Sequence, residues 1–259
     1  MIHALLVTLI LGLQNSEQPP AMVRFGAWLP RLGGTIQDGV GAIDLETNID
    51  LSDQESIPLI EFTLAPIEDI TLSFSVFDYS TAGSGLFVGS RTFGSMSMAA
   101  GDSWTASTSI SSVGFEGAWD VIKPFQASQH ATLTFAPIAG LQWFGVDTSL
   151  QNLTSSESVS HSNGWVALQG GLQMRFDWDT RSSTNMLDSI TIDSKLLIGT
   201  LFGEDGGSMW SLQTGIVLQF SQNVAGYFGY RLQELNAEDG NYTFNAGLQG
   251  LFVGGEIRF

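Results

Sequence analysis

Asp44, Glu46, Asn48 and Asp50 recur at every second position, with Ile43, Leu45, Ile49 and Leu51 between them. On an extended strand this spacing sets four oxygen-bearing side chains on one face. Hard cations such as calcium take ligands of that kind. The segment lacks the glycine and distal glutamate of an EF-hand loop, so the competing reading is an acidic strand facing solvent or a lumen. A second set of charges sits on the polar rows of alternating segments: Glu61, Glu116, Arg175, Asp177, Asp193, Lys195, Arg231, Glu256 and Arg258. In a strand crossing a membrane, an Arg or Lys facing lipid at the midplane costs about 2–4 kcal/mol. These side chains are therefore expected to point inward and pair. They could line a narrow selective pore, or they could fill a small barrel with salt bridges and hold it shut.

Ser128, His130 and Thr132 would share one strand face. The arrangement resembles the His-x-Ser pair of lipid A deacylases, in which His is the base for a lipid-facing Ser. Here Thr132 stands in the Ser position, and no carboxylate can be assigned to orient the imidazole. His161, in Ser160-His161-Ser162-Asn163, reads as part of a loop tip. No metalloprotease motif, phosphate loop or dinucleotide fingerprint occurs. The reading assigns no catalytic residue and no cofactor, and the protein is expected not to be an enzyme.

The elements that would position these residues are strands. Ile70, Leu72, Phe74 and Val76 alternate with Thr71, Ser73 and Ser75. Val166, Leu168, Leu172, Met174, Phe176 and Trp178 share one face, and Gln169, Gln173, Arg175 and Asp177 share the other. Period 2 is the strand signature. Further strands are predicted near 22–30, 57–65, 104–119, 131–147, 188–202, 210–220, 224–234 and 242–259, which makes about ten. Pro137 falls inside one of them and predicts a bulge. Short turns at 66–69 and 221–223 would lie at one end, and the longer segments 31–56, 80–103 and 148–163 at the other. All seven tryptophans lie near predicted strand ends, as an interfacial aromatic girdle requires.

Composition narrows the class. Charged residues are 14% of the 259, well below the roughly 25% of soluble domains. Only Lys123 and Lys195 are lysines, and polar positions are mostly Ser, Thr, Gln and Gly. A net charge of −17 argues against nucleic-acid binding, which needs clustered Lys and Arg. The absence of cysteine rules out disulfides and thiolate metal sites. Ala4–Leu13 is an apolar run too short for a transmembrane helix, which needs about 20 residues. It suits the core of a secretory signal peptide, although no Lys or Arg precedes it. The expected organisation is a signal peptide over 1–16 and a barrel over 17–259.

The C-terminus ends Gly250-Leu-Phe-Val-Gly-Gly-Glu-Ile-Arg-Phe259, with Phe259, Ile257, Val253 and Leu251 on one face. This resembles the C-terminal signal of bacterial outer-membrane β-barrels. Gly229-Tyr-Arg-Leu-Gln, followed by Asp239-Gly240 and the last strand, is similar to the closing hairpin of small opacity-type and outer membrane protein W-like barrels. The resemblance implies outer-membrane lipid as the surroundings and recognition of the strand ending in Phe259 by the barrel assembly machinery. The fold class expected is all-β: an up-and-down antiparallel transmembrane β-barrel of about ten strands, with eight to twelve open. The function expected is that of a structural or surface barrel, with a narrow channel for small or hydrophobic solutes as an added role. A soluble secreted ligand-binding barrel and a lipid-modifying enzyme are the alternatives.

Overall fold

The computed structural model describes residues 21–39, 41–51, 53–67, 69–125, 130–181 and 186–259, so the predicted export segment lies outside the described residues. The strands are β1 (Ala21–Asp38), β2 (Gly41–Asp44), β3 (Ile57–Ile67), β4 (Ile70–Leu86), β5 (Arg91–Phe93), β6 (Met96–Met98), β7 (Ser103–Trp119), β8 (Ile122–Phe125), β9 (Ala131–Asn152), β10 (Ser158–Asp179), β11 (Ser189–Phe202), β12 (Gly206–Gln219), β13 (Val224–Asp239) and β14 (Tyr242–Arg258). Ten of these, β1, β3, β4, β7 and β9–β14, pair with their neighbours in chain order, each antiparallel to the next. The sheet closes because β14 pairs with β1 along its whole length, from Met22↔Arg258 to Asp38↔Tyr242. Closure leaves no edge, which is what lets strands cross a membrane with every backbone group satisfied. The expected ten-strand up-and-down barrel is the observed fold.

Both ends of the described chain lie at one end of the barrel, with the strand ends Ile67 and Ile70, Trp119 and Ala131, Asp179 and Ser189, and Gln219 and Val224; we call this the turn end. The loop end carries 41–51, 53–56, 87–102, 153–157, 203–205 and the tight hairpin 240–241, where Gly240 takes φ of 60°. Two loop-end excursions fold back on the barrel. β2 pairs with the top of β1, and β5 and β6 form a separate hairpin.

Along each long strand the polar and apolar faces exchange roles at one height, while the inward–outward alternation continues unbroken. On β4 the outward residues run Ile70, Leu72, Phe74 and Val76 and then become Asp78 and Ser80. The inward residues run Thr71, Ser73 and Ser75 and then become Phe77 and Tyr79, which are buried. On β7, Val113, Phe115 and Trp119 face outward near the turn end, and Ser107, Ser109 and Ser111 face outward above them. On β9 the outward row is apolar from Leu133 to Trp143 and then reads Asp147, Ser149 and Gln151. That apolar stretch rises about 25 Å at the usual strand tilt, the height of a membrane belt. Above it the barrel is built as a soluble protein is, apolar inside and polar outside.

The structure corrects several expectations. Segments 31–56, 80–103 and 148–163 are not simply loops, because β1, β4, β9 and β10 continue through much of them. Sequence patterning hid this because the inward and outward rows exchange polarity there. For the same reason three of the seven tryptophans are not in a girdle. Trp28, Trp104 and Trp165 are inside, at most 3% exposed. The other four do form one. Trp119 and Trp178 face outward at the turn-end edge of the belt, and Trp143 and Trp210 at its loop-end edge. Pro137 makes no bulge. It faces outward, in unbroken register with Leu172, just past the last β7–β9 pair at Ala118↔Ile138. A residue without an N–H is tolerated where a ladder has ended.

A candidate site in the filled lumen

All nine charged residues singled out from the polar rows lie on inward faces in the membrane half of the barrel. Glu256 on β14 is fully enclosed. It accepts from Arg24 Nε at 2.7 Å and from Arg258 Nε on its other oxygen. Arg24 and Glu256 are direct register partners, so this pair spans the seam that closes the barrel. Glu61 stands 3.9 Å from Arg24, and Arg258 also donates to Gln219 Oε1 at 2.8 Å. Across the lumen, Lys195 Nζ meets Glu116 at 2.7 Å, with Gln169 donating to the same carboxylate. Gln173 donates to both oxygens of Asp193. Arg175 bridges Asp120, at 2.7 Å, and Asp177, at 3.2 Å, and Thr191 donates to Asp177. Charges brought into a narrow lumen must find partners of this kind.

Most of these groups line a cavity of about 300 Å³. A smaller pocket, lined in part by Glu116, Lys195 and Arg231, lies between this cavity and a waist. There the Arg231 guanidinium lies over Trp28, at 5.0 Å from the ring centre, and over Phe77 at 5.3 Å. The two rings meet edge to face at 5.3 Å. Among the described residues Arg231 makes no ion pair; it donates to Gln233 Oε1, and Gln233, Gln142 and Ser112 continue a hydrogen-bonded layer across the barrel. Cation–π contacts of a desolvated Arg are worth about 2 kcal/mol. Sequence reasoning placed Arg231 inward but missed its aromatic partners. The signal was present: Trp28 and Phe77 share the parity of Arg24 and Ser75.

Above the waist the interior is an apolar plug. Leu32, Ile36, Phe144, Val146, Trp165 and Phe244 come from the wall, and Ile43, Leu45, Ile49, Leu51, Phe93 and Met96 from the folded-back excursions. The Asp44–Asp50 segment is therefore not a strand with a row of oxygen ligands. β2 ends at Asp44, and the next residues form turns that drive the intervening apolar side chains into the barrel mouth. The Asp44 carboxylate accepts from the N–H groups of Glu46 and Thr47, and these bonds, chiefly the one from Thr47, hold its carboxyl below the usual carboxylate range. Among the described residues no group of acids and histidines is arranged to hold a metal ion. Asp102 ties the second excursion, accepting from Ala99 N and Asn152 Nδ2.

His161 is not in a loop tip but on β10, facing inward near the loop end. Its Nε2 lies 2.9 Å from Asp38, and its ring stacks on Tyr242 at 4.2 Å. His130 is exposed at the turn end, its carbonyl accepting from Asp179 N at 2.8 Å. Ser128 lies outside the described residues, and with it the Ser128, His130 and Thr132 set.

Strand closure, a belt of outward apolar side chains, an aromatic girdle at both belt edges and a filled charged lumen define the class: this is a membrane-spanning up-and-down β-barrel of the outer-membrane type. No family model matches the chain, and no curated protein matches it. Among solved structures it is similar to the outer membrane protease OmpT from Escherichia coli, at 6% identity over 95% of this chain and 99% of that one, with a TM-score of 0.48. It is also similar to the translocator domain of the autotransporter NalP from Neisseria meningitidis (12% identity, 100% and 95% coverage, TM-score 0.46). A third similarity is to Ail, the attachment invasion locus protein of Yersinia pestis (12%, 93% and 99%, 0.38). The class rests on the chain's own closure and belt, not on these likenesses.

Proposed function

We propose that the protein is a sealed integral barrel of the bacterial outer membrane, with the turn end in the periplasm and the loop end standing beyond the outer leaflet as a surface platform. One observation carries this reading: the exchange of polar and apolar faces at a single height, with paired charges around a cavity below it and an apolar plug above it. On this reading water enters the charged cavity from the turn end, because the Trp28–Phe77–Arg231 waist and the apolar plug lie above it. The platform is acidic. Asp53, Glu55, Asp78, Asp147, Glu157, Glu234 and Glu238 lie there against Arg31 and Arg91. A negative surface of this kind attracts cations and basic partners over a Debye length. Outer-membrane lipid is the proposed partner of the belt, and the barrel assembly machinery that of the β14 end. There Phe259 donates its N–H to Ala21 O at 2.9 Å and stands exposed in the same outward row as Ile257, Val253 and Leu251.

Planar-bilayer recording tests the seal. The reconstituted protein should insert and show no steady conductance steps. Reproducible openings from the intact protein would replace the sealed barrel with the narrow-channel reading.

A further inference from the structure

On one side of the barrel the outward wall above the belt is a regular field of hydroxyls. In register across β4, β7, β9 and β10 stand Ser80, Ser109, Asp147 and Ser162. The next row toward the loop end is Ala82, Ser107, Ser149 and Ser160. The third is Ser84, Thr105, Gln151 and Ser158. No Lys or Arg occupies an outward position on these four strands. Two depressions, of about 280 and 540 Å³, are set into this same field.

At its lower margin lies Trp143, the last apolar residue of the β9 belt row. Directly above it, Gly145 and Gly164 are register partners and both face outward. A Cβ on Gly145 would come within 2.7 Å of the Trp143 ring, and one on Gly164 within 3.5 Å of its Nε1. The ring therefore lies flat along the wall over two residues without side chains. It remains 43% exposed, with its other face turned outward.

We propose that this wall binds the sugar headgroups of glycolipids in the surrounding leaflet; the inference rests on the membrane orientation proposed above. Continuity with the belt decides where the ligand comes from. Whatever lies against a wall that begins where the acyl chains end is the headgroup layer of the same lipids. Chemistry decides which headgroup. A flat aromatic face packs against the C–H face of a pyranose, carboxylate and amide groups such as Asp147 and Gln151 pair with adjacent hydroxyls, and short Ser and Thr side chains both donate and accept. A phosphate headgroup would need the cations that are missing here. The opposite wall has polar rows of its own, such as Ser208, Asn236, Asn245 and Thr35, but it carries Arg31 outward, and its girdle residue Trp210 is engaged by Glu234 at 2.6 Å.

The test uses the full folded protein in phosphatidylcholine vesicles containing a minor fraction of digalactosyl diacylglycerol as the neutral-sugar probe. Lipid retained on the barrel is measured by native mass spectrometry, and folding of each variant is checked by its mobility shift on boiling. The sugar lipid should be enriched about fivefold over its bulk fraction, the scale of one aromatic stacking contact. Trp143→Ala, and independently Gly145→Val, which displaces the ring, should return it to the bulk fraction. Trp143→Phe and the opposite-wall variant Asn245→Ala should keep it. Retention at the bulk fraction, enrichment indifferent to Trp143→Ala and Gly145→Val, or preference for phosphatidylglycerol added in place of the sugar lipid would each overturn the proposal. So would binding of free digalactose without enrichment of the lipid. Failure to insert into any vesicle would overturn the membrane reading itself, and is distinguished by the absence of bound lipid of every kind.

Discussion

Glu256→Gln should lower the unfolding free energy by about 3 kcal/mol, the cost of leaving buried charges without their partner. Glu256 has no exposed surface and holds Arg24 and Arg258 at once. With the carboxylate gone, Arg24 keeps Glu61 at 3.9 Å and the Tyr227 ring at 5.7 Å, and Arg258 keeps Gln219. The loss falls on the seam between β1 and β14, where the barrel closes. Urea unfolding in lipid vesicles, followed by tryptophan fluorescence, reads the shift in midpoint. Arg24→Met added to Glu256→Gln should recover part of the loss, because it removes one of the two stranded charges. A midpoint within error of the parent would mean that the lumen is wet enough to solvate these groups without the network.

Trp28→Ala should cost about 3–5 kcal/mol, the range for removing a large aromatic side chain from a packed interior. The ring is fully buried. It packs edge to face on Phe77, carries the Arg231 guanidinium on its face and donates Nε1–H to Gly250 O. Trp28→Phe should cost less, because it keeps an aromatic face for Arg231. The same urea titration reads both, and the Trp28→Ala loss should exceed that of Trp178→Ala at the lipid-facing turn-end edge, where no interior cavity is created.

The alternation of Val166 through Trp178 against Gln169 through Asp177 was enough to give the strands, their approximate number and the lipid-facing side. Period 2 survives any change in what surrounds a strand. Closure was legible in the apolar row ending at Phe259. The plug was not. Reading Asp44, Glu46 and Asp50 as a strand face followed from their spacing. The turn that breaks that strand is set by Asp44 capping Glu46 and Thr47, a local bond that competes with sheet pairing and leaves no period. His161 and Trp165 looked like a loop tip and a girdle residue because a polar outward row was taken for a loop. On the strand they share inward parity with Gln169, and only the height of the belt, which sequence parity does not encode, tells an aqueous wall from a membrane wall. The lumen charges were placed on the inward face from cost alone. Which acid meets which base depends on strand stagger around the barrel.

One barrel wall should change medium at a fixed height, lipid below Trp143 and water above it. Because the chain has no cysteine, single cysteines along the outward row of β9 report this directly. Leu133→Cys, Leu141→Cys, Ser149→Cys and Gln151→Cys, in the protein folded in vesicles, are challenged with a membrane-impermeant maleimide. Labelling should be fast at 149 and 151, with protection at 133 and 141 that is lost on unfolding. Uniform protection along the row would bury the whole wall in lipid, and uniform labelling would make the barrel a soluble one; either result contradicts the account.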